Sequence, residues 1–163
     1  MLPKIERWID QTILDFKDKR HSCDQFSSEF DGYYTKDFLF KSHFVVVDEI
    51  PKPTFPELYQ AGLGDFVDME VAGITYKDTY FVMAPYAMDL SLHFHELVHV
   101  HQWALLGPEV FIQRYITEIQ TYGYNSAPLE VMAYSLQDQF MERTSPIDVS
   151  KYVQGEIEEA YRL

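Results

Sequence analysis

The residues of this chain best placed to do chemistry lie in one stretch, His95-Glu96-Leu97-Val98-His99. On a helix, residues four apart sit one turn along the same face, so both imidazoles can reach one metal ion. Glu96 lies about 100° further round the helix, off the ligand face but able to lean over the metal's open side. There a carboxylate can take a proton from a zinc-bound water and pass it to a leaving group. H-E-x-x-H is the spacing of zinc hydrolases, and zinc is the cofactor it implies.

A catalytic zinc takes three protein ligands and one water. A third histidine on the pattern HExxHxxGxxH would need Gly and His where the chain has Gln102 and Leu105. The other solution is a glutamate from the next antiparallel helix. Glu130 is the leading candidate, one turn into an apolar helix and three residues before Ala133, whose small side chain permits close helix approach. A glutamate at that place also suits the helix dipole with no metal present. Glu118 is the competitor, but Gln113, Arg114 and Gln120 around it point it towards water. His93 and His101 sit two residues outside the motif, about 200° round the helix, and take structural roles. His43 opens a strand and is read as a surface or satisfied core histidine. Gln102, three after His99, is placed to orient a motif imidazole.

These residues must be held by a body of ordinary globular composition. The chain has 163 residues, 47% of them hydrophobic and 16% aromatic, which suits one domain with its own core across residues 1–163. A net charge of −13 leaves no basic patch for a nucleic acid or an anionic membrane surface. Cys23 is the single cysteine, so a cysteine zinc site and an intramolecular disulfide are excluded. The first twenty residues mix charge into every turn, so no signal peptide or membrane span is expected and the expected setting is cytoplasmic. The oligomeric state is not legible.

Hydrophobic periodicity predicts an α+β fold. An amphipathic helix over 3–20 presents Ile5, Trp8, Ile9, Ile13 and Phe16 on one face. Residues 21–42 carry a turn at Asp31-Gly32 and no clear element. A strand follows at 43–48, then a Pro-rich loop over 51–56. Residues 66–84 read as a β-hairpin, Val67, Met69 and Val71 alternating with acids and Lys77-Asp78 as the turn. From residue 89 the pattern is helical: 89–106 with the motif, 109–122, 128–142 with Ser126 as cap and Pro128 at its start, and 150–161 packing by Val153, Ile157 and Tyr161.

Three stretches together carry a family resemblance: His95-Glu-Leu-Val-His99-Val-His-Gln102, the hairpin Gly73 to Val82, and Pro128-Leu-Glu130-Val-Met-Ala133. They resemble the gluzincin branch of the zincin-like metallopeptidases, in particular small bacterial domains of unknown function with an HELxHVxQ core. The likeness covers about residues 60–140. It implies a minimal zincin: a small twisted sheet (strands within 43–84), the active-site helix beneath it, and a second helix supplying the glutamate. It also implies zinc on His95, His99 and Glu130, Glu96 as general base, and a peptide or protein substrate paired along the strand Thr79 to Met83. Where thermolysin-like members carry an aspartate four after the ligand glutamate, this chain has Tyr134. Tyr122, Tyr124 and Tyr134 are all candidates for stabilising the oxyanion. The reading is a zinc-dependent metallopeptidase; the alternative is a zinc-stabilised, non-catalytic interaction module.

Overall fold

The computed structural model describes residues 1–161. Its fold is mixed α+β, with a small sheet and a helical half. Helix α1 (Leu2–Asp15) starts on a proline and buries Ile5 and Ile9, as the apolar stripe predicts. It ends five residues earlier than expected, in a short 3₁₀ turn at Lys17–Lys19. The segment left unassigned by the sequence holds a two-residue strand β1 (His21–Ser22), a 3₁₀ turn (Cys23–Phe26) and the short helix α2 (Lys36–Lys41), capped by Thr35. Strand β2 (His43–Val47) follows, and then α3 (Pro56–Gln60) and α4 (Gly64–Asp68).

The α4 helix corrects the expected hairpin over 66–84: only β3 (Gly73–Tyr76) and β4 (Thr79–Met83) are extended. Val67, Met69 and Val71 do alternate, but Val67 N–H bonds Leu63 O at 3.0 Å, and these two residues, four apart, both pack on the core. A short alternation cannot outweigh a helical turn that buries Leu63 and packs Val67 against the core. The predicted turn is right. Lys77 adopts φ 60° there, and its ammonium bonds Glu6 at 3.1 Å and Asp10 at 2.6 Å, tying the hairpin to α1.

Strand order is β1-β2-β4-β3, with β4 parallel to β2 and antiparallel to β3. Strand β4 is therefore interior, which suits its unbroken burial from Thr79 to Val82. This corrects the expectation that Thr79–Met83 borders a cleft. Both its edges are taken, and β3 carries the outer edge.

Helix α5 (Leu90–Leu106) packs on β3 and β4 at one side and on α6 (Pro108–Tyr122), α7 (Pro128–Met141) and α8 (Val149–Tyr161) at the other. Asp89 caps its N-terminus, accepting from the Ser91 and Leu92 amides, and Gly107 at φ 79° ends it just before Pro108. Val153 and Ile157 of α8 are buried as expected; the Tyr161 side chain lies outside the described residues. Among the described residues no helix is long and apolar enough to cross a membrane.

Two local readings fail together. Glu118 does not face water: it is 5% exposed, and its Oε1 accepts the Leu129 amide at 2.8 Å. Ser126 is not the cap of α7, since no side chain caps it at Ala127 and the Glu118 carboxylate takes an orphan N–H instead. Replacing Glu118 with alanine is expected to destabilise the fold by about 2 kcal/mol in urea unfolding, because it leaves that buried amide unpaired. An unchanged midpoint would contradict this role.

Candidate metal centre

Helix α5 is buried almost all round, so its polar residues must find partners inside the protein. His95, Glu96 and His99 are each 4% exposed, and Glu130 on α7 is 2% exposed. The structure brings His95, His99 and Glu130 together. His95 Nε2 lies 3.1 Å from Glu130 Oε1, His99 Nε2 lies 3.1 Å from Oε2, and the two Nε2 atoms are 3.2 Å apart. One donor atom from each residue falls within 4.8 Å of the others. Around a tetrahedral zinc with bonds of roughly 2 Å, ligand atoms stand about 3.4 Å apart. Two imidazoles and a carboxylate, all buried, thus fit a single zinc ion in both donor type and spacing.

The far sides of the rings say why they face this way. His99 Nδ1 donates to Gln102 Oε1 at 2.7 Å, and the Gln102 amide nitrogen donates to Leu129 O at 3.0 Å. That second bond fixes the orientation of the carboxamide, so the proton belongs on Nδ1 and the Nε2 lone pair is left for a cation. The sequence pointed to Gln102 for this task. It missed Gln137, whose Oε1 accepts from His95 Nδ1 at 2.9 Å. Gln137 lies two turns after Glu130 on α7, but nothing in the spacing alone marks it as a partner of His95. Also missed was Tyr115 on α6, whose hydroxyl donates to Glu130 Oε2 at 2.7 Å.

Glu96 is held separately. Thr75 on β3 donates to its Oε2 at 2.7 Å, and burial pushes its carboxyl above the usual range. A Cβ at position 73 would lie 2.9 Å from Glu96 Oε1 and 3.1 Å from the Phe81 carbonyl, so glycine there leaves room for the carboxylate beside the strand. Neither Thr75 nor Gly73 was read as part of the site.

Of the three tyrosines left open, Tyr122 is 58% exposed and borders neither space beside Glu96. The Tyr134 ring lies 4.4 Å from that of His95, and Tyr124 borders the cavities on both sides of Glu96. His93 and His101 stay outside the group, as expected. Fully buried, His93 bonds the Tyr80 hydroxyl at 2.7 Å and Ala87 O at 2.9 Å. His101 stacks on Phe38 at 3.7 Å, and burial pushes its imidazole down to about 4. His43 opens β2 and is likewise no member of the group.

Protein-family models, curated proteins and solved structures give no match to this chain. The site must be judged on its chemistry.

Without a metal, charge in the cluster balances by protonation. Burial opposes a charged His99, but the Glu130 carboxylate overrides it and raises the imidazole to about 9. Burial likewise opposes the Glu130 anion, and His99 and His95 hold it well below the usual carboxylate range. With its folded pKa raised, the His99 contribution is full below about pH 6.5 and is lost as pH rises through about 9. Glu130, with a depressed pKa, contributes above about pH 4.5 and loses that on acidification. Metal-free protein is therefore expected to lose thermal stability between about pH 7 and pH 9.5. Zinc must displace the His99 proton, so calorimetry at pH 7 in buffers of different ionisation enthalpy is expected to show release of about one proton per zinc. Binding without proton release would contradict this arrangement.

Proposed function

We propose that the protein is a zinc-dependent hydrolase that cleaves peptide bonds, on a zincin-like scaffold of the gluzincin kind. The observation that carries this reading is Glu96, a buried carboxylate tethered by Thr75 beside the His95–His99–Glu130 group and not part of its hydrogen-bonding. A purely structural metal site has no use for it. Zinc held by His95, His99 and Glu130 would supply a Lewis acid that polarises a substrate carbonyl and acidifies water.

The chain's own residues supply the rest. Glu96 takes a proton from the attacking water and delivers it to the leaving amine. Its raised pKa moves it towards the range where a base works best near neutral pH. Thr75 fixes one carboxylate oxygen, and Gly73 keeps the strand clear of the other. Tyr124, rather than Tyr122, is the hydroxyl to stabilise a developing oxyanion, because it borders the cleft beside Glu96. The outer edge of β3 offers unpaired backbone groups to an extended peptide, a role β4 cannot take from the middle of the sheet.

The test is hydrolysis of a mixed peptide library by wild type and by Glu96→Gln, with zinc content measured on both. The variant is expected to keep its zinc and lose activity by about 10²–10⁴-fold, the usual contribution of a general base. Equal residual activity in the two proteins, both zinc-loaded, would remove the hydrolase reading and leave a zinc-stabilised interaction module.

A further inference from the structure

Beside the His99–Glu130 face of the site lies a pocket of about 100 Å³, bordered by α1, α3, α4, α6 and β3. Ile5 and Ile9 of α1 form one wall and Ile112 and Ile116 of α6 another, and Glu96, His99 and Glu130 border it as well. Ile5 and Ile9 are nearly fully buried, so the apolar stripe of α1 turns inward, yet part of it borders unfilled space. Most polar side chains in the wall have partners. The Lys52 ammonium donates to Phe66 O at 2.9 Å and Met69 O at 2.7 Å, and the Tyr76 hydroxyl to Pro51 O at 2.7 Å. Thr75 is bonded to Glu96 and Tyr115 to Glu130, and the Trp103 indole nitrogen is buried out of a ligand's reach. Tyr124 stands where the pocket meets the cleft on the other side of Glu96, bordering both spaces together with Val71, Gly73 and Glu96.

We propose that this pocket takes one compact, uncharged, apolar side chain of the substrate, and that α1 sets its size limit. A hydrocarbon-walled space stays dry and forgoes the van der Waals contacts of a packed interior, so an apolar group of matching size recovers them on entry. A charged group would lose its water with little to replace it. The Lys52 ammonium is held by two carbonyls, and the Glu96 and Glu130 carboxylates by Thr75, Tyr115 and the histidines. The volume suits one branched or single-ring group and is too small for a long lipid chain. Because pocket and cleft meet at Glu96, a substrate with its apolar side chain in the pocket carries its adjoining backbone past that carboxylate. The walls from α1 and α3 lie outside residues 60–140, so the pocket depends on a part of the chain that the family resemblance does not cover.

The substrate role rests on the hydrolase reading, whereas occupancy of the pocket is measurable without turnover. The probe is benzene, added to zinc-equilibrated full-length protein labelled at its isoleucine methyls. Intermolecular NOEs are expected from benzene to the methyls of Ile9 and Ile112, one on each wall. Ile9→Phe, which fills the space from α1, is expected to weaken benzene at least about tenfold while zinc content stays at the wild-type level. In the peptide library, wild type is expected to cleave where one residue beside the scissile bond is Leu, Ile, Val or Phe, and Ile9→Phe to shift that preference to Ala. No benzene binding, NOEs confined to other residues, or cleavage without such a preference would overturn the proposal. If Ile9→Phe fails to fold, the wild-type NOEs and cleavage preference decide. Benzene bound at Ile9 and Ile112 in a protein that hydrolyses no peptide would support the pocket and remove the hydrolase reading. Hydrolysis with no benzene binding would overturn the pocket and leave the hydrolase reading standing.

Discussion

Two imidazole nitrogens facing each other at 3.2 Å inside a protein form the constraint on which the rest depends. The outer nitrogens are committed to glutamine oxygens, so the inner ones present lone pairs towards each other and towards Glu130. Lone pairs so placed need a cation between them, and Glu130 supplies the matching negative charge from the opposite helix. A proton on His99 meets this demand in part, and a divalent metal with three ligands meets it fully. Helix α5 is buried on both sides, and α7 docks on it at the height where Glu130 meets both histidines. Glu118 and Tyr115, both on α6, secure that height from the side.

The sheet serves the site from the opposite flank. Inserting β4 between β2 and β3 makes β3 an edge strand lying against the motif helix, with Thr75 and Gly73 both at Glu96. His95 and His99 are thus positioned by helix packing, and Glu96 by strand packing. That division keeps Glu96 beside the His95–His99–Glu130 group without joining its hydrogen bonds, as the proposed proton transfer requires. On either side of Glu96 lie unlike spaces. One is the apolar pocket beside α1; the other is a more polar cleft of about 290 Å³ bordered by Glu70, Asp89 and Tyr134.

How much of this was legible depends on whether a signal was local. Helix α5 could be read because its motif, its capping Asp89 and its Gly107-Pro108 stop all fall within one stretch. Glu130 could be read from its own helix, since Ala133 and the apolar run around it mark a close-packed face. Gln137 shares that helix, yet its role shows only once the height of α7 on α5 is known. Tyr115, Thr75 and Gly73 reach the site from three-dimensional neighbours that no spacing rule connects to residue 96. Glu118 misled because polar sequence neighbours describe a helix face, whereas its burial comes from a bond to the start of the next helix. The stretch 64–72 misled for a related reason, as an alternation of a few residues fits a strand and a helical turn alike.

The central claim is that His95, His99 and Glu130 form one metal site, and zinc content per chain tests it most directly. Elemental analysis of wild type after equilibration with zinc and removal of excess should give one zinc per chain, with His99→Ala and Glu130→Ala each losing most of it while remaining folded. Wild-type protein that takes up no zinc, or a Glu130→Ala variant that binds as well as wild type, would contradict the account.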